Sequence, residues 1–234
     1  MLDQAFDALK KYDWGADPKV LSPIDEAIIS SHGDDQARGE LENRLADVLK
    51  TDAPRDAKDY VCRKLMIIGT ASSVPTLATL LPKKDHSHMA RYALERIPAS
   101  EAGDALRESL SEVDDDLKVG VISSIGTRGE DESVDLLAEY LGRDDPSVAR
   151  AAAFALGAIR TPAAAKALED NKPSDPQAQL AATDASFACA EALLADGKKL
   201  EALAIYKGLA GGKQPKHVRL AATRGMLACA GKTE

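Results

Sequence analysis

Four segments of this chain repeat one another, and that periodicity constrains the fold more than any other feature. Ile68, Ile97, Ile125 and Ile159 mark them, at separations of 29, 28 and 34 residues. Three positions before these anchors lie Leu65, Leu94, Ile122 and Leu156, and eight before lie Tyr60, Met89, Leu117 and Ala151. Nine positions after them come Leu77, Leu106 and Leu168. In the third segment Leu137 is twelve after, which assigns three extra residues to the loop Thr127-Arg128-Gly129-Glu130-Asp131. The same offset places Leu81, Leu110 and Leu141. Offsets of 3, 5 and 8 share one face of a helix. Each segment therefore reads as a helix, a short turn at the anchor and a second, antiparallel helix.

Turn chemistry agrees with that division. Gly69, Gly126, Pro98 and Pro162 fall at the expected breaks, and Ser72, Ser100 and Asp131 stand where they can cap the helices that follow. Pro146 opens its helix, where the missing N–H costs nothing. One such hairpin cannot bury its apolar face alone, but stacked hairpins can. The expected fold is all-α, a right-handed α-α superhelix: a solenoid of stacked antiparallel helix hairpins.

Composition narrows the function classes. Aromatic residues make up 4% of the chain while 41 residues are Ala, which disfavours an aromatic-lined cofactor pocket and a β-sandwich. The net charge of −8 is the opposite of the basic excess that nucleic-acid binders carry, so no nucleic-acid partner is expected. No run of about 18 apolar residues occurs, so no membrane span is expected. Cys62, Cys189 and Cys229 each lie in an apolar helical pattern and read as buried free thiols. The start, Met-Leu-Asp-Gln-Ala-Phe-Asp, is acidic and lacks a signal core. A cytoplasmic protein is expected, unless an export signal has been removed.

The segment "SVARAAAFALGAIRTPAAAKAL", with its Ala-rich helix followed by Leu-Gly, Ile and Pro, resembles HEAT and HEAT-like bacterial repeats. The resemblance covers about residues 58–170 and departs at Ile97-Pro98, where the usual Gly is lost. Further on, "ALLADGKKLEALAIYKGL" is similar to the second half of a tetratricopeptide repeat, with Gly197 at the turn, Ala202 five residues on and Tyr206 nine on. Gln214-Pro215 would end its second helix.

Three stretches follow from this. Residues 1–57 form a helical cap of the solenoid, with Trp14 as a packing anchor and Leu41, Leu45 and Leu49 on one face. In this cap the first helix runs over 1–15, and Ser22, Pro23 and Gly33 punctuate the next. Residues 58–172 hold the HEAT-like repeats, and 173–234 hold a long helix, the tetratricopeptide-like hairpin and a terminal helix. In the terminal helix Val218, Ala222, Met226 and Ala230 share a face, and no partner helix follows. A solenoid end of that kind is expected to belong to a longer array or to self-associate. Charge also follows position: residues 1–56 carry a net −6 and residues 171–234 a net +3, which suits a head-to-tail contact between copies.

Candidate sites are few. Asp85-His86-Ser87-His88 is the one cluster of metal-ligand types, but its two histidines lie in a turn without a third ligand at a useful spacing, and Ser87 and Asp85 suit a helix start. Asp114-Asp115-Asp116 lacks the spacing of a calcium loop, and Gly211-Gly212-Lys213 lacks that of a phosphate loop. No catalytic residue, metal or cofactor is expected. Arg91 and Glu95 stand one helical turn apart as a structural pair. Arg63, Arg91 and Tyr92 fall at similar positions of successive helices, and Arg and Tyr are favoured anchors of protein interfaces. They are the expected partner-binding residues on the concave face, with Tyr60 and Phe154 as possible additions.

The resemblance implies a non-catalytic scaffold that holds a protein or peptide, as part of a larger protein. The alternative it leaves open is a HEAT-like-repeat enzyme of the bilin lyase or DNA glycosylase type. HEAT-like proteins with iron chemistry use His-Glu pairs, and this chain has no His-Glu dipeptide.

Overall fold

The computed structural model describes residues 1–211 and 214–231. Every regular element among them is helical, and the chain divides into two compact units, Met1–Ser124 and Ile125–Glu234. In the first unit, α1 (Leu2–Leu9) packs on a 3-10 turn (Pro18–Leu21) and on α2 (Ser22–Ser30). Next, α3 (Asp35–Leu49) lies against α4 (Arg55–Ile68) and α5 (Val74–Ala78). The following hairpin, α6 (Lys84–Arg96) and α7 (Ser100–Ser109), sets α6 beside α4 and α7 beside α5. The hairpins thus stack as two layers of helices. The division between units falls within α8 (Asp115–Arg128). The second unit continues with α9 (Val134–Leu141), α10 (Pro146–Ile159), α11 (Pro162–Asp170), α12 (Pro176–Ala195), α13 (Lys199–Ala210) and α14 (Lys216–Cys229).

The repeat positions form the core. Leu65, Leu94, Ile122 and Leu156 are all 0% exposed, and the anchors Ile68, Ile97, Ile125 and Ile159 are buried. Leu77, Leu106, Leu137 and Leu168, on the second helix of each hairpin, are buried as well. Burying each such side chain stabilises the fold by about 2 kcal/mol. All three cysteines are buried free thiols. Burial pushes Cys62 up to about 12 and Cys189 up to about 11, so both stay protonated and unreactive at neutral pH.

Helix entrances follow elementary capping. The Asp145 carboxylate accepts from the N–H groups of Ser147 and Val148 at 2.8 and 3.1 Å, ahead of Pro146. Asp175 does the same for Gln177 and Ala178 at 2.9 Å each, ahead of Pro176. The hairpin after α12 turns at Gly197, whose φ of 77° suits glycine, and buries Ala202 and Tyr206 against Ala190 and Leu193.

Several local expectations fail for physical reasons. The first helix stops at Leu9, not near Trp14, and Trp14 is 92% exposed instead of anchoring a core. Ala5, Phe6 and Leu9 already fill the contact with α2, while the turn Asp13–Ala16 carries the indole outward. Gly126 is no break: α8 runs through it to Arg128, so residues 126–128 belong to a helix that, at 14 residues, is as long as α4 and α10 but displaced by three positions relative to its isoleucine. Its lack of a Cβ serves packing, because a Cβ there would lie 2.6 Å from Ala155 Cα. Neither Ser72 nor Ser100 is a cap. Thr70 Oγ1 accepts from Ser72 N–H at 3.2 Å, and Ser100 is the first residue of α7 with Ala99 before it. In α14 the buried residue of the last turn is Cys229, and Ala230 lies exposed.

One buried group escaped the sequence pattern. Glu42 on α3 is 2% exposed, and its carboxylate accepts from Thr70 N–H at 2.7 Å, Thr70 Oγ1 at 2.9 Å and Ser73 N–H at 3.2 Å. It holds the start of the α5 turn onto α3, a long-range substitute for a local cap.

Candidate functional site

Arg63, Arg91 and Tyr92 all lie in the first unit, on the neighbouring helices α4 and α6. The structure gives them different environments. The Arg63 side chain is 71% exposed, and its Nε donates to Asp59 Oδ2 at 2.8 Å, one turn earlier on the same helix. Tyr92 is 50% exposed and stands edge-on against the His88 ring, with centroids 4.5 Å apart. That contact holds the phenol ring upright in solvent.

Arg91 is half-buried between α6 and α8. Its NH1 donates to the Gly120 carbonyl at 2.8 Å and to Ser124 Oγ at 3.0 Å. Ser124 Oγ in turn donates to Glu95 Oε1 at 2.6 Å. The expected Arg91–Glu95 pair is therefore bridged through a serine 29 residues beyond Glu95. Burial pulls the guanidinium pKa down, and the Glu95 carboxylate pulls it back up. Gly120 makes room for the group: a Cβ there would lie 2.7 Å from Arg91 Cζ. Arg91 Nε is buried without a hydrogen-bond partner.

Tyr60, by contrast, turns into the fold. Its hydroxyl donates to Asp25 Oδ1 at 2.8 Å, and desolvation with that carboxylate raises its pKa. Phe154 on α10 is 56% exposed. The Asp85–His88 segment lies within the first turns of α6, not in a turn before it. Ser87 is not its cap; the hydroxyl is buried and unpartnered, because the helix begins three residues earlier, at Lys84. Burial, with Lys58 and Lys83 nearby, lowers the pKa of His86. No group of three His, Cys, Asp or Glu among the described residues is placed to hold a metal ion. Asp116 pairs with Lys84, and Asp115 with Lys118 at 2.7 Å, so two of the three acids at the start of α8 bind lysines. Gly212 and Lys213 of the glycine-rich segment lie outside the described residues.

The second unit holds a feature the residue patterns did not single out: a cleft of about 320 Å³ between α11 and α13, floored by α12.

Antiparallel helix hairpins stacked on one another define a helical repeat protein. Residues 103–186 match the family model described as HEAT repeats. Among solved structures the chain is similar to the crystal structure of an engineered protein, a Northeast Structural Genomics Consortium target. That likeness is at 18% identity and a TM-score of 0.41, covering 90% of this chain and 96% of the other. No curated protein matches it.

Proposed function

We propose that this protein is a non-catalytic scaffold that binds a protein or peptide partner through the face carrying Arg63, Arg91 and Tyr92. The observation that carries the reading is the recurrence of solvent-facing anchors at one repeat position. Arg63 and Tyr92 both stand five residues before their anchors, on neighbouring helices, and both face solvent. A braced tyrosine loses little conformational freedom on binding, and an arginine beside it supplies directional donors. Arg91 acts from behind, fixing α6 on α8 so that Tyr92 keeps its position.

The test follows from that division of roles. A partner isolated by affinity capture is titrated calorimetrically against the Arg63→Glu, Tyr92→Ala double variant. Binding weakens about tenfold or more, since truncated anchors each cost upward of about 1 kcal/mol. Unchanged affinity overturns the assignment of this face. Arg91 is left intact in the test because its loss would also disturb the α6–α8 contact. Self-association belongs to the same reading, with Leu220 and Leu227 exposed on α14, and light scattering across a concentration series measures it.

A further inference from the structure

The cleft in the second unit arises from a break in the repeat. Asp145-Pro146 and Asp175-Pro176 start α10 and α12 with the same pair of cap bonds, so the helices align at an offset of 30 residues, 175 against 145. On that alignment, counted from the helix starts, Ser186 takes the place of Leu156, the position filled by Leu65, Leu94 and Ile125 in earlier repeats. The helix is also longer, 20 residues against 14. Its partner α13 packs on the far part, at Ala190 and Leu193. The nearer stretch, 179–186, is left as the floor of an open cleft.

That floor has a definite chemistry. Gln179, Thr183 and Ser186 stand at i, i+4 and i+7, on one face of α12. Their donors are spent within the chain. Gln179 Nε2 donates to Pro173 O at 2.9 Å, Thr183 Oγ1 to Gln179 O at 2.9 Å, and Ser186 Oγ to Ala182 O at 2.8 Å. Each keeps oxygen lone pairs for an incoming donor. The three oxygens are spaced along the helix by rises of about 6 and 4.5 Å. Alternate N–H groups of an extended chain repeat at about 6.7 Å, close to the first of these rises and longer than the second.

The walls mix small and larger apolar residues: Ala165 and Leu168 on one side, and Ala204, Ile205, Gly208 and Leu209 on the other. Gly208 lies inside α13, where glycine is unfavourable, and a Cβ added to it would meet nothing within 4 Å. No contact within the chain requires glycine at this position; a backbone passing along the wall would. Glu169 and Lys172 both border the cleft, so its rim is balanced in charge.

We propose that the α11–α13 cleft binds an extended, uncharged segment of a partner polypeptide, whose backbone N–H groups donate to Gln179 Oε1, Thr183 Oγ1 and Ser186 Oγ. This site is separate from the α4–α6 face and does not depend on it.

The test pans a displayed library of random linear peptides against the full chain and measures the enriched peptides by fluorescence anisotropy. Gly208→Leu places a side chain in the cleft, and Ser186→Leu restores the leucine of the other repeats. Both variants keep or raise the melting temperature, and both weaken peptide binding about tenfold or more. Thr183→Val preserves shape, removes one acceptor and weakens binding about fivefold. Failure of any peptide to enrich overturns the proposal, as does undiminished binding to both leucine variants. Peptides that respond only to the Arg63→Glu, Tyr92→Ala variant support the α4–α6 face and overturn this site.

Discussion

Neighbouring helices meet through two kinds of seam, one in each unit. In the second unit the seam is bare backbone. A Cβ on Gly126 would lie 2.6 Å from Ala155 Cα, and one on Gly157 would lie 2.9 Å from Ala185 Cα. In the first unit the seam is a charged side chain, with the Arg91 guanidinium laid over Gly120 and bonded to Ser124. Both seams use glycine, yet the surroundings differ in compliance. Backbone packed on backbone has nowhere to go, whereas the end of an arginine side chain can swing away. The same residue type is therefore rigidly required in one place and conditionally required in the other.

Substitution can break that contrast or sharpen it. Gly126→Val gives the largest effect, a loss of about 3 kcal/mol in urea unfolding, because two helices must separate to admit the side chain. Arg91→Met costs about 2 kcal/mol by removing the charged donor's bonds to the Gly120 carbonyl and Ser124 Oγ, while keeping the apolar stem. Gly120→Ala costs about 1 kcal/mol, since the displaced guanidinium is partly offset by better helix propensity. In the Arg91→Met background the sign reverses, and Gly120→Ala becomes neutral or stabilising; additive losses in that double-mutant cycle would contradict the compliant seam. Gly208, which sits in no seam, gives the smallest effect: Gly208→Leu gains about 0.5 kcal/mol, measured the same way.

These contrasts also explain which parts of the molecule could be read in advance. Leu65, Leu94, Ile122 and Leu156 repeat at a helical interval, and all four prove fully buried, because periodic burial is what a hairpin stack demands of a sequence. The helix start at Pro146 is local chemistry and was equally visible. Gly126 was not, since a glycine that ends a helix and a glycine that lets two helices touch look the same in one dimension. Trp14 misled for a related reason: a large apolar residue implies a core only where some other element offers a surface to cover it. Of the candidate anchors, Arg63 and Tyr92 could be placed on neighbouring helices by counting. The bond from Arg91 to Ser124 spans 33 residues and depends on how α6 and α8 stack. The α12 cleft had a signal that counting from the isoleucines missed. Aligning Asp175-Pro176 with Asp145-Pro146 sets Ser186 opposite Leu156.

Tyr206 adds a further glycine contact one helix on. Its ring lies so close over Gly225 that a Cβ there would sit 2.3 Å from Cε1. The position of α14 is thus inherited from α13, which inherits its own from α12, which rests on Gly157. An added methyl at 157 would work like a shim under the first course of a brick wall, small where it is inserted and passed upward to every course above. Its spectroscopic trace should turn up at the Tyr206 phenol, far along the chain from the lesion.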